Sequence, residues 1–189
     1  MIRFHSHRLA AVSFALAMVA STGVAEAGDR SHHRNVQGPN GRGYTVHHHA
    51  GGQPGAAWSS RNVQTRSGRG WNREASAAWG PGEASGSVTR RHNNGAVSSR
   101  SGSITRGDGV ITRQGSHTGV GGRSQSGWNT IYRNDDGFGQ SRGVTTSSGR
   151  SAQGQRDVIV GDDHITVSRS LTTGSGRSVS RSRTHTRGD

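Results

Sequence analysis

Leu171 is the only leucine between Gly28 and Asp189, and it typifies what most limits this chain. Those 162 residues hold only 19 Leu, Ile, Val and Phe side chains, about 12%. That is too little apolar surface to offset the conformational entropy of a chain this charged in a compact, two-layer domain. What remains is disorder, or a thin β structure held mainly by hydrogen bonds. The expected fold is mainly β with substantial disorder: short antiparallel β-hairpins in a meander, forming a single-layer or loosely rolled sheet without a conventional hydrophobic core.

Residues 1–27 stand apart from this reasoning. Arg3 and Arg8 make a positive start, Leu9 to Ala20 an apolar run broken only by Ser13, and Ala25-Glu26-Ala27 a small-x-small cleavage pattern. This is the layout of a cleaved secretory signal peptide. An N-terminal anchor helix is the alternative, but the apolar run is short for one, and no later stretch approaches the ~20 apolar residues of a membrane helix. The expected location is therefore periplasmic or secreted, in a bacterial setting. The chain has no cysteine, so disulfides cannot replace the missing core.

Charge gives the second constraint. The chain carries a formal +13, and +12 remains when residues 1–27 are set aside. Every basic side chain is arginine, with no lysine at all. A GC-rich genome accounts for that choice, yet the surface has the same physics whatever its origin. Planar guanidinium groups bind phosphate, sulfate and carboxylate through paired hydrogen bonds.

From residue 28 to 86 the chain is a Gly/Ala/His/Trp-rich low-complexity segment holding all three prolines, Pro39, Pro54 and Pro81. It contains an internal repeat: RNVQGPNGRGY at 34–44 matches RNVQTRSGRGW at 61–71, an offset of 27 seen once. RSGRGWN at 66–72 has a looser echo in RSQSGWN at 123–129. REASAAW, 73–79, is the one stretch with helical propensity, too short to hold alone.

A β-hairpin repeat region is expected over 87–173. Asn94-Gly95, Asp108-Gly109 and Asp136-Gly137 are turn dipeptides beside Val, Ile, Thr or aromatic residues, and Ser101-Gly102 is placed as a further turn. RDVIVGDDHITVSR, 156–169, closes through Gly161 to His164, which pairs Val160 with Ile165, Val158 with Val167, and Arg156 with Arg169. In SITRGDGVITRQGS, 103–116, a two-residue Asp108-Gly109 turn sets Arg106 opposite Ile111 and Ile104 opposite Arg113. The Arg-Gly-Asp tripeptide there reads as a turn before it reads as an adhesion signal. Strands are expected to be shorter than the 9–11 residues a membrane barrel needs, and 174–189 to be a basic disordered tail.

Three kinds of chemistry compete. His164 beside Asp162 and Asp163 follows from composition, and no nucleophile elbow, phosphate loop or zinc-protease helix is present, so the chain is read as non-enzymatic, without cofactor or catalytic residues. His47, His48 and His49 are weak metal candidates lacking cysteine or carboxylate partners at structural spacing. Arginines interleaved with aromatics suit an anionic polymer: Arg42, Arg69, Arg90, Arg91, Arg106, Arg113, Arg133, Trp71 and Trp128 are the candidate contacts. Lipopolysaccharide, acidic polysaccharide and extracellular DNA are the expected partners. A self-assembling fibre or matrix subunit and a weak His-mediated metal binder are the alternatives.

Overall fold

The structure is a computed structural model that describes residues 28–186. The expected signal peptide, and the second Arg-Gly-Asp at 187–189, lie outside the described residues. Twelve strands follow one another: β1 (Arg30–Gln37), β2 (Gly43–Gln53), β3 (Ala56–Thr65), β4 (Gly70–Gly80), β5 (Glu83–His92), β6 (Val97–Gly107), β7 (Val110–Thr118), β8 (Ser124–Asn134), β9 (Gly137–Thr146), β10 (Ser151–Val160), β11 (His164–Thr173) and β12 (Ser178–Thr186). A single 3-10 turn, Pro39–Gly41, interrupts them. Each strand pairs antiparallel with its chain neighbours, giving one open sheet in sequence order.

The hairpin meander of the sequence reading is what forms. Val160 pairs with Ile165, Val158 with Val167, and Arg156 with Arg169. Arg106 pairs with Ile111, Ile104 with Arg113, and Thr105 with Thr112. Other expectations need correction. REASAAW is not helical but runs through β4, because its Gly-flanked ends close hairpins with β3 and β5. Ser101-Gly102 is mid-strand in β6, where Ser101 pairs with both Ser87 and Ser116. The tail is strand β12 over Ser178–Thr186, paired along its length with β11. Eleven of the strands span 9–11 residues, longer than expected, since hydroxyl and arginine side chains continue them where apolar ones stop.

A single period organises the sheet, and the 27-residue offset is its first instance. Gly41, Gly68, Gly95, Gly122, Gly149 and Gly176 all have φ between 71° and 82°. They lie 27 residues apart and divide 28–189 into six units. At five of these turns a three-residue loop ends in the left-handed glycine, as in Gly68 N–H to Thr65 O (3.1 Å) and Thr65 N–H to Arg69 O (2.7 Å). In TRSGR, TSSGR and TGSGR the first threonine hydroxyl also donates to the arginine carbonyl. The opposite end of the sheet turns at Pro54-Gly55, Pro81-Gly82, Asp108-Gly109, Asp135-Asp136 and Asp162-Asp163, also 27 residues apart. Asp108, with φ 50°, is the one non-glycine residue with positive φ among the described residues.

Register follows the same rule. One lateral row runs Ala50, Ser59, Ala75, Val88, Arg100, His117, Gln125. Even strands advance by 25 along it (Ala50 to Ala75) and odd strands by 29 (Ser59 to Val88). Each unit is therefore displaced two residues along the strands, an even step that keeps equivalent positions on the same face.

Among the described residues no second layer covers the sheet. The main contacts between elements are between consecutive strands, and among the described residues the only buried hydrophobic ones are Val46 and Val158, at 7% and 6% exposure. Backbone ladders and cross-strand pairs hold the structure. Hydroxyl pairs recur, including Ser101 with Ser116 at 2.8 Å, Thr166 with Thr184 at 3.0 Å and Thr172 with Ser178 at 2.8 Å.

Candidate polyanion-binding face

Strand alternation and the continuous register assign every strand residue to one of two faces. Of 15 strand arginines, 14 share one face, and Arg91 is the exception. The same face takes 15 of the 18 strand Val, Ile, Leu and Phe side chains and no acidic residue. The opposite face is dominated by Ser, Thr, Asn and Gln, with Glu74, Glu83 and Asp157. The chain thus replaces the usual apolar–polar division with a cationic–apolar face and a hydroxyl face.

Two arginine rows cross the cationic face. Arg61, Arg73 and Arg90 are directly paired across β3, β4 and β5, and Arg156, Arg169 and Arg181 across β10, β11 and β12. Like charges placed directly opposite, about 5 Å apart, destabilise a bare sheet. Aromatic rings relieve part of this. The guanidinium carbons of Arg61 and Arg90 lie 5.8 and 4.6 Å from the centroid of Trp71, and that of Arg156 lies 5.8 Å from Phe138. No carboxylate reaches any arginine among the described residues, where the ion pairs are both His–Asp. Arg156 Nε is buried without a hydrogen-bond partner.

The turns add a charge gradient along the strands. Arg42, Arg66, Arg69, Arg123, Arg150 and Arg177 occupy the end with the recurring left-handed glycines, while Glu83, Asp108, Asp135, Asp136, Asp162 and Asp163 occupy the other. At the acidic end His164 Nδ1 and Asp163 Oδ1 are 2.7 Å apart, a contact that lowers the Asp163 pKa.

The nominated residues divide accordingly. Arg90, Arg106, Arg113, Arg133 and Trp71 lie on the cationic face, and Arg42 and Arg69 at its basic end. Arg91 and Trp128 fall on the hydroxyl face and do not join them. Arg61, Arg73, Arg156, Arg169 and Arg181 complete the rows; the Arg156–Arg169 pair follows from the 156–169 hairpin, but none of the five was a candidate contact, because only the register of the whole sheet joins them into rows. The three histidines separate: His48 is on the cationic face, His47 and His49 on the other, with His33 and His47 Nδ1 atoms 3.1 Å apart. No group of three or more His, Asp or Glu side chains is arranged to hold a metal ion among the described residues. No described helix is long and apolar enough to cross a membrane.

No protein-family model, curated protein or solved structure matches the chain.

Proposed function

We propose that the chain is an exported, non-enzymatic repeat protein whose arginine face binds an anionic polymer of the cell envelope or extracellular matrix. Lipopolysaccharide phosphates, acidic polysaccharide and extracellular DNA share the required chemistry. The observation that carries the reading is the gathering of 14 uncompensated strand arginines on one face, two sets of three in direct lateral contact. A flexible polyanion lying along such rows replaces like-charge repulsion with charge-assisted hydrogen bonds. The apolar side chains between the rows suit the hydrocarbon part of an amphiphilic anion. Export is supported by the positive start, the apolar run and the Ala25-Glu26-Ala27 cleavage pattern within residues 1–27.

Heparin titration at rising salt, followed by binding and by circular dichroism, tests this reading. Affinity should fall steeply with salt, and Arg61→Gln/Arg73→Gln/Arg90→Gln should flatten that dependence by about two to three counterions. The β signal should strengthen as heparin binds. Binding indifferent to salt, or to the triple substitution, would refute the assignment.

A second reading, self-assembly into fibres or a matrix, is favoured by the oppositely charged ends and by the outer edges of β1 and β12, which pair with no strand among the described residues. Electron microscopy of concentrated protein with and without heparin separates the two, since a subunit that assembles by itself forms fibres without polyanion.

A further inference from the structure

The hydroxyl face carries a feature the arginine chemistry does not use. A trough of about 910 Å³ crosses β3 to β8. Its floor is two adjacent lateral rows. One starts at Trp58 and continues through Ser76, Ser87, Ser101, Ser116 and Ser126; the other passes through Ser85, Ser103 and Gln114 and ends at Trp128. Between these rows the trough is also lined by Ala57, Ala77, Gly86, Gly102, Gly115 and Gly127, a lateral row that strand alternation assigns to the opposite face. Short side chains on both sides thin the sheet there. No charged side chain lines the trough.

The two tryptophans are held in matching ways. Trp58 pairs with Gly51 on β2 and Trp128 with Gly143 on β9, and each indole covers its glycine so closely that a Cβ there would meet the ring. Both rings therefore lean outward from the trough, one at each end. His49 fixes Trp58 further by an edge-on contact at 4.7 Å. Trp58 and Trp128 remain 41% and 38% exposed, so each presents ring surface to solvent. Between them Ser85, Ser103, Gln114 and Ser126 have no side-chain hydrogen-bond partner among the described residues, whereas Ser76–Ser87 and Ser101–Ser116 pair with each other.

We propose that this trough binds an uncharged glycan chain laid across the strands, with sugar rings stacked on Trp58 and Trp128 and hydroxyls bonded to the serine floor. The apolar faces of sugar rings match aromatic plates, and their many hydroxyls match neutral donors and acceptors without the desolvation cost of charge. Length follows from geometry. Strands β3 and β8 are five strand spacings apart, about 24 Å, and the rings lean outward over β2 and β9, so they lie further apart still. A disaccharide touches one platform and only an extended oligosaccharide touches both. This site is on the face opposite the arginine rows and does not depend on the polyanion reading.

Linear neutral glucans from disaccharide to octasaccharide, titrated into the full chain by calorimetry, test the proposal. Affinity should rise sharply once the chain spans both tryptophans. Trp58→Ala and Trp128→Ala should each weaken the octasaccharide about tenfold, whereas tyrosine at either position, which still covers the glycine, should retain most binding. Octasaccharide should also shield the wild-type tryptophans from acrylamide quenching. Heparin affinity should be unchanged in both alanine variants. Absence of binding by every glucan at millimolar concentration, affinity independent of length, or unaltered affinity in a Trp58→Ala/Trp128→Ala protein that keeps its β signal would each overturn the assignment.

Discussion

Arg90 on β5 places its guanidinium carbon 4.6 Å from the ring centroid of Trp71 on β4, one position diagonal from its direct partner Arg73. The half-buried indole receives Arg61 from the other side at 5.8 Å, so one ring serves two of the three arginines in the adjacent row. The aromatic at this position of the unit is thus a local substitute for the counterion the sheet lacks.

Trp71→Ala should destabilise the sheet by about 1–3 kcal/mol, combining lost cation–π attraction with lost packing. Chemical denaturation measures this directly. Saturating heparin should restore more stability to the variant than to the wild type, because the exposed row then has more repulsion to relieve. An unchanged midpoint would show that Trp71 does not hold the row.

The turn glycines make a separate prediction. Gly95 has φ 82° with no atom within 4 Å of a built Cβ, so its replacement meets only conformational strain. Gly95→Ala should cost about 1–2 kcal/mol. Gly121→Ala lies in the neighbouring turn of the same end, has equal space and an ordinary φ, and should be nearly neutral. Equal effects at the two sites would mean that the left-handed turn does not set the hairpin.

Where β-branched residues alternate around a compact turn, as in 103–116 and 156–169, the sequence alone yields the correct pairs, because one register alone gathers Val and Ile on a face. The first half offers no such pattern. Histidine, alanine and tryptophan occupy both faces of β2 to β4, and the Ala-rich REASAAW shows helical propensity that hairpin closure overrides. The 27-residue period is concealed because Gly41 and its five equivalents are the one invariant position, while Pro54 and Pro81 give way to Asp108, Asp135 and Asp162. Of the arginine rows only the Arg156–Arg169 pair was legible in the sequence, through its hairpin; the rest was legible only as composition. Arg90 and Arg91 are adjacent in sequence yet belong to opposite faces, and a site defined by lateral neighbours requires the register of every intervening hairpin.

Tyr132 provides a pH-dependent test of the hydroxyl face. Its hydroxyl donates to Asp157 Oδ1 at 3.0 Å. Burial first, and then the hydrogen bond and negative charge of Asp157, raise its pKa above the usual 10.0. A raised folded-state pKa means that the contribution is fully present below about 10 and is lost as pH rises through the folded value. Alkaline titration of tyrosinate absorbance should show a late component, and Asp157→Asn should move it down toward the ordinary range. A titration insensitive to that substitution would exclude the contact.

The period itself can be tested by deletion. Removing Gly82–Asp108, one complete unit, joins Pro81 to Gly109 and restores the turn dipeptide Pro-Gly. The two-residue displacement per unit is even, so every strand beyond the junction keeps its face. The shortened chain should retain its β spectrum and its salt-dependent heparin binding. Its stability should fall by roughly the contribution of one unit and its interface, as in other quasi-one-dimensional arrays. Deleting one residue fewer, Gly82–Gly107, lengthens the loop at the junction to Asp108-Gly109 after Pro81 and forces a choice. Either a three-residue loop absorbs the extra residue, or the downstream register slips by one and carries Arg113, Arg133 and Arg142 to the hydroxyl face. Heparin affinity distinguishes these outcomes. The complete-unit deletion must in either case be the more stable of the two, and a reversal of that order would disprove the 27-residue unit as the building block of the sheet.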